Sequence, residues 1–281
     1  MAQIESSPGD LEANLRKHIE VIDAARTAGV EVLLFPELSL TGHGAGGQAP
    51  ALAIDCGHRL VAAIARASGA MCTVFGIIEE RPAAQFCNSA VAVRHGRAIF
   101  VHRKIHLATY GQLDDAKHFA AGRHVETFPL DRRWRASLLI CADTWNPPLV
   151  HLAAMQGATL LLAPVSSAIE AVGAEFDNPQ GWEINLRFHA LTYGMPVLMA
   201  NRVGTEHELT FWGGSRILDP FGHALATAAG RGEELVRARL DFDTVRRARF
   251  LLPTVRDANL PLVHREIERV LLRDAKPPRL E

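Results

Sequence analysis

The sequence predicts an α/β protein, one domain over residues 1–281, and three features carry that reading. Amphipathic helical stretches alternate with short apolar runs of strand length. The second half of the chain repeats the plan of the first. No linker or low-complexity stretch separates the halves. Alternation of this kind lays helices on sheets so that each buries its apolar stripe. Hydrophobic residues make up 48 % and charged residues 22 %, globular proportions that allow a sizeable core.

Each element follows from local signals. Asp10 caps a helix whose apolar positions Leu11, Leu15, Ile19 and Ile22 share one face, and Gly29 ends it. Residues 30–35 (VEVLLF) form a short buried strand that Pro36 stops, with Glu37 just beyond. A second helix is expected over 50–67. Strands are expected over 71–79 and 86–94. His95-Gly96 turns the chain into a return strand over 97–102, with Lys104 after it. In the second half, 135–140 (RASLLI) is a strand ending at Cys141. Pro147 and Pro148 suit the first turn of a helix reaching Gln156. Residues 158–163 (ATLLLA) and 196–200 read as strands with a helix over 182–193 between them. The stretch 212–239 reads as strands joined by Gly and Pro turns.

Charge narrows the partners. The net charge is −1, from 30 basic against 31 acidic residues, so nothing draws the chain to nucleic acid or to an anionic membrane. The expected partner is a small molecule or another copy of the chain. No apolar run reaches the ~18 residues of a membrane span, and MAQIESSPGD lacks the pattern of a secretory signal. Cys56, Cys72, Cys87 and Cys141 match no zinc or disulfide framework, so a reducing cytoplasm is expected. The 13 histidines form no ligand pair beside a carboxylate, so no metal site is expected. The mixed charges around His264, Glu266 and Glu268 read as a solvated helix face.

Glu37, Lys104 and Cys141 each fall immediately after an expected strand, and sites in α/β folds collect at the carboxyl ends of strands. A thiol at a strand-to-helix turn meets the positive end of the helix dipole, which favours the thiolate. The plain alternative for Cys141 is a small core residue. Glu37, at the edge of a core, either caps a helix or does acid–base work. Lys104 is either a partner in that work or a solvated strand end. His102 and His106 flank it, and histidine is the usual cysteine activator, so a Cys–His pair is an alternative. No protease-type signature surrounds Cys141, however. Cys56, Cys72 and Cys87 lie within a helix or strands and read as structural.

Taken together, LLFPELSLTG, HRKIHL followed by FAAG, and LLICADTWNP resemble in order the three catalytic motifs of the nitrilase superfamily, the carbon–nitrogen hydrolases. GDLEANL resembles that family's first helix, and ANRVGTEHELTFWGGSRILDPFG its late strand segment, so the resemblance covers nearly the whole chain. It implies a four-layer α-β-β-α sandwich, two sheets face to face with helices outside, and association into a dimer or larger through the outer helices. It implies Glu37 as general base, Lys104 as cationic partner and Cys141 as nucleophile. The thiolate would attack an amide, ureido or nitrile carbon. Lys104 and the backbone N–H of Ala142 would hold the oxyanion, and Glu37 would protonate the leaving amine and activate water. Such chemistry needs no metal or organic cofactor.

Three departures stand out. Many members carry a second glutamate in a stretch resembling Y-G-x-x-D-E. Here it reads YGQLDD, which puts Asp115 in that place, near Lys104 if it substitutes for the glutamate and a mere cap of the following segment if not. The residue after the cysteine, often bulky or acidic, is Ala142. The family's opening apolar strand is mostly absent before Ala2-Gln3. The motif CADTW resembles the amide- and glutamine-hydrolysing branches more than nitrilases, so the expected substrate is an amide or N-carbamoyl compound. A nitrile substrate, or a catalytically weak binding protein that keeps the fold, is the alternative. Candidates for the substrate pocket are Tyr110, Trp145, Asn146, Ser166, Glu170, Phe176, Trp182 and Phe211, each with packing as its other reading.

Overall fold

A computed structural model describes residues 1–206 and 208–274. The first part of the chain contributes β1 (Ala2–Gln3), α1 (Leu11–Thr27), β2 (Val32–Leu34), α2 (Ala49–Leu52), α3 (Arg59–Ser68), β3 (Cys72–Arg81), β4 (Gln85–Arg94) and β5 (Arg97–Arg103). The middle adds β6 (Thr127–Pro129), β7 (Arg135–Leu138), α4 (Pro147–Met155), β8 (Leu160–Val165), α5 (Asn178–Tyr193) and β9 (Val197–Asn201). The last part adds β10 (Val203–Glu206), β11 (Leu209–Trp212), β12 (Arg216–Leu218), β13 (Ala224–Thr227), β14 (Glu234–Leu235), α6 (Phe242–Leu251) and α7 (Leu260–Asp274).

Two sheets dominate. One has the order β2-β3-β4-β5, the other β13-β12-β9-β8-β7-β6. The pairs β2–β3, β7–β8 and β8–β9 are parallel, and their flanks are antiparallel. Alternation along the strands explains the layering, since successive side chains point to opposite faces. Leu34, Val74, Ala90 and Ala92 join a core shared with Leu138 and Leu161 of the second sheet. Their neighbours Leu33, Phe75, Val91 and Val93 pack instead with Ile22 of α1 and with Leu60 and Ile64 of α3. On the other side, Val150 of α4 and Leu186 and Ala190 of α5 close the second sheet's core. The result is the four-layer α-β-β-α sandwich.

One expected helix divides. Residues 50–67 are not continuous, because Ile54 bridges to Glu79 and the Asp55 carboxylate accepts the Gly57 N–H at 2.7 Å. The chain leaves α2, touches the sheet and restarts as α3. Ala2–Gln3 forms a two-residue strand paired with β14. His264, Glu266 and Glu268 lie on α7 and are exposed, as a solvated helix requires. Among the described residues no helix is long and apolar enough to cross a membrane.

Candidate active site

Glu37, Lys104, Asp115 and Cys141 converge where the two sheets meet, and all four are buried. The turn after β2 holds Glu37, and Leu38 follows it with φ of 50°. The turn fits tightly on β3. A Cβ at Gly76 would lie 2.1 Å from the Leu38 nitrogen, so only glycine admits this approach. The Gly76 carbonyl accepts the Leu40 N–H at 3.0 Å. Glu37 Oε1 accepts from Lys104 Nζ at 2.6 Å and from Asn88 Nδ2 at 2.8 Å. Its Oε2 is buried and takes no hydrogen bond from a described residue. One carboxylate oxygen is thus fixed and the other is free to accept a proton.

Lys104 leaves the end of β5, which is anchored by Arg103 donating to Glu79 through Nε at 2.7 Å and through Nη2 at 2.5 Å. The Lys104 ammonium also donates to Asp115 Oδ2 at 2.6 Å. Burial alone would lower its pKa, but the Glu37 carboxylate, Cys141 and Asp115 outweigh burial and hold it well above the usual lysine value. Asp115 opens a short 3-10 turn and accepts the Ala108 N–H at 3.1 Å on the same oxygen. Burial would raise its pKa, yet the Lys104 charge and hydrogen bond hold it below the usual carboxylate range. Asp115 therefore faces Lys104 instead of merely capping the next segment.

Cys141 adopts φ of 45°, a left-handed conformation that is costly for a side chain with a Cβ and that clusters at functional sites. It does not begin an α-helix directly. Residues Cys141–Trp145 form a 3-10 turn, and α4 starts only at Pro147. The expected drift towards thiolate is reversed: burial, and then the Glu37 carboxylate, push the thiol well above its ordinary value, against the Lys104 charge and the Ser166 backbone N–H that favour the anion. Burial and the neighbouring carboxylate thus oppose ionisation of the thiol, which calls for a base.

Asp143 locks this turn to the Lys104 segment. Its Oδ1 accepts the Ile105 and His106 N–H groups at 2.9 and 2.7 Å, and its Oδ2 accepts His102 Nε2 at 2.9 Å and the Ile140 N–H at 3.1 Å. The His102 ring is thereby committed to Asp143 and not to the Cys141 thiol. From the other side, Asn185 and His189 of α5 donate to the Thr144 carbonyl at 3.2 and 2.7 Å.

The remaining candidates divide. Ala142 is buried directly after the thiol. Ser166 is buried beside the sulfur with an unpartnered Oγ. Trp145 packs edge-on against Phe176 and Trp182, and Tyr110 stays 44 % exposed on the loop that carries Asp115. Trp182 donates to Ser167 Oγ at 3.0 Å, and Phe211 lies under the Arg202 guanidinium at 4.1 Å, so both act as scaffold. Asn146 caps α4, and Glu170 accepts the Thr210 N–H at 2.8 Å. Sequence reasoning missed Asn88 and His43. Asn88 was legible as an amide inside the apolar strand FCNSAVAV. His43 lies among the charges of Glu37, Asp115 and Lys104 with a buried, unpartnered Nδ1, and burial lowers its pKa. Among the described residues no group of three or more His, Cys, Asp or Glu side chains is placed to hold a metal ion.

A strained cysteine with a carboxylate and an ammonium, set between the sheets of an α-β-β-α sandwich, defines the class. The chain belongs to the carbon-nitrogen hydrolase family, whose model matches residues 1–250. It is 30 % identical over 249 residues to the glutamine-dependent NAD(+) synthetase of Thermotoga maritima, a match covering 86 % of this chain and 42 % of that protein, so the chain spans under half of that relative's length. It is 27 % identical over 179 residues to the N-carbamoylputrescine amidase of Solanum lycopersicum, covering 61 % of this chain and 60 % of that protein. An amidase from Nesterenkonia sp. shares the fold with a TM-score of 0.80 at 24 % identity, over 94 % of both chains.

Proposed function

We propose that this protein is a cysteine-dependent hydrolase of small amides or N-carbamoyl compounds, with Cys141 as nucleophile, Glu37 as general base and Lys104 as electrostatic partner. The observation that carries the reading is the free Glu37 Oε2, whose sister oxygen is held by Lys104 and Asn88, in a buried cluster with Cys141, whose ionisation burial and the Glu37 charge oppose. Glu37 takes the Cys141 proton as the sulfur attacks the carbonyl carbon. Lys104 and the Ala142 N–H stabilise the oxyanion. Glu37 then gives the proton to the departing ammonia or amine, and afterwards draws a proton from the water that opens the thioester. Asp115 holds Lys104 in place. Tyr110, Trp145 and Ser166 line the approach.

The similarity to an enzyme that uses glutamine gives a second reading, in which the substrate is the side-chain amide of glutamine or a like molecule. Ammonia release across a panel of amides, glutamine, carbamoyl compounds and nitriles tests both. Turnover of amides or carbamoyl compounds supports the proposal, glutamine alone selects the second reading, and nitriles alone reject both. The chain is also proposed to pair with a second copy through its outer helices. Ile184, Phe188 and Leu191 form an exposed apolar stripe on α5, with Leu152 exposed on the adjacent α4.

A further inference from the structure

A cavity of about 190 Å³ lies between the turn at residues 43–48, the loop carrying Asp115, and the β10–β11 hairpin. At ~30 Å³ per water-sized group it has room for roughly six such groups. It meets the catalytic cluster at Asp115 and His43, and Glu206 is also in its wall. Glu206 is 8 % exposed. Its Oε2 accepts from Arg202 Nη1 at 2.6 Å, while its Oε1 takes no hydrogen bond from any described residue. Gly44 makes this placement possible, because a Cβ there would lie 1.7 Å from Oε1.

Resting on the reading above, we infer that this cavity takes the tail of the substrate, that Glu206 is its specificity-determining residue, and that the tail ends in a protonated amine. The cavity wall carries the carboxylates of Asp114, Asp115 and Glu206, of which Asp115 is paired with Lys104 and Glu206 with Arg202 from behind the wall. The cavity wall contains no lysine or arginine. A wall with carboxylates and no lysine or arginine of its own favours a cation and rejects a carboxylate. A carboxylate oxygen with free lone pairs in the cavity wall is a strong acceptor for an ammonium donor. Arg202 stays on Oε2, on the Ser6 carbonyl at 3.2 Å and over the Phe211 ring, so the lone pairs of Oε1 remain available to a ligand.

The test compares three amides of equal length, 5-aminopentanamide, hexanamide and 5-carbamoylpentanoate, each also shortened and lengthened by one methylene. Affinities for the Cys141→Ala chain are measured by titration calorimetry, and kcat/KM for the wild type by ammonia release. The ammonium-tailed amide is expected to bind at least tenfold tighter than hexanamide, and the carboxylate-tailed amide at least tenfold weaker. Glu206→Gln, added to the Cys141→Ala chain, should collapse the ammonium-to-methyl ratio at least tenfold whatever the absolute affinities. Gly44→Ala, which displaces the same carboxylate, should do likewise. Equal affinities, a preference for the carboxylate tail, or a ratio kept in a folded Glu206→Gln chain would overturn the inference. If either variant fails to fold, the order of affinities in the Cys141→Ala chain decides alone. Selective binding without turnover of any amide, carbamoyl compound or nitrile would sink the hydrolase reading and leave the pocket. Turnover without tail preference would sink the pocket and leave the hydrolase.

Discussion

Asp115→Asn removes one of two carboxylates from the Lys104 ammonium and keeps the shape of the side chain. Lys104 retains Glu37, so the ammonium is not orphaned, and the loss is smaller than the ~3–5 kcal/mol typical when a buried pair loses a partner outright. About 1–3 kcal/mol of stability should go, which lowers the melting temperature by several degrees in a chain of this size. The effect depends on pH with a definite sign. The folded Asp115 pKa lies below the usual value, so its contribution is present above about pH 4 and fades as pH falls through the folded value. Wild type and variant should therefore converge in acid and differ fully at pH 7. With Asp115 gone, Lys104 binds Glu37 more tightly and holds back the base. kcat should fall by roughly one to three decades, about 1.4–4 kcal/mol in the barrier. Asp115→Glu, which keeps the charge, should lose less. Steady-state kinetics at pH 7, with melting curves followed from pH 7 to well below about pH 4, check this. Full activity in Asp115→Asn, or a stability gap that widens in acid, would refute the reasoning.

Further outcomes follow from the same geometry. Cys141→Ala should abolish turnover with a near-native melting temperature, and Cys141→Ser should be nearly as inactive because a hydroxyl is harder to deprotonate; a tenth of wild-type activity in Cys141→Ala would reject the nucleophile. Asp143→Ala leaves the Ile105, His106 and Ile140 N–H groups and His102 without their acceptor, and at about 1–3 kcal/mol per unsatisfied buried group it should give little folded protein; a stable, active variant would show that the two motifs are not tied through it. EDTA should leave activity unchanged, whereas loss with recovery on added zinc would contradict a mechanism run by Glu37, Lys104 and Cys141 alone. In analytical ultracentrifugation the wild type should sediment as a dimer or larger and Ile184→Lys with Phe188→Glu as a monomer; a monomeric wild type, or a coefficient unchanged by the substitutions, would reject pairing through α5.

The residues proposed to act were legible because they interrupt apolar patterns at strand ends. Glu37, Lys104 and Cys141 each follow a run whose burial the composition dictates, and β2, β5 and β7 put them together. Asp115 was legible as a position but not as a contact: only the fold shows its 2.6 Å approach to Lys104. Features that depend on pairing across distant segments were hidden. Asp143 joins residues 37 and 38 positions away, and Glu206 enters the cavity only because Gly44 has no side chain. The break between α2 and α3 was hidden for the same reason, since Ile54 leaves the helical pattern to bridge Glu79 on a remote strand. The thiol's protonation was misjudged because dipole reasoning is local, whereas burial and the Glu37 charge are set by the whole site.

The central claim is a covalent acyl intermediate on Cys141 formed with Glu37 as the base. Intact-mass spectrometry followed by peptide mapping tests it most directly, on wild-type protein quenched in acid during turnover of an amide it hydrolyses, with Glu37→Gln alongside. The expected result is a mass increase equal to the acyl group, located on the peptide holding Cys141, with one ammonia released per adduct in the first turnover and no adduct in Glu37→Gln on the same timescale. Turnover in the Cys141→Ala chain, or an adduct mapped to Cys56, Cys72 or Cys87, would contradict it.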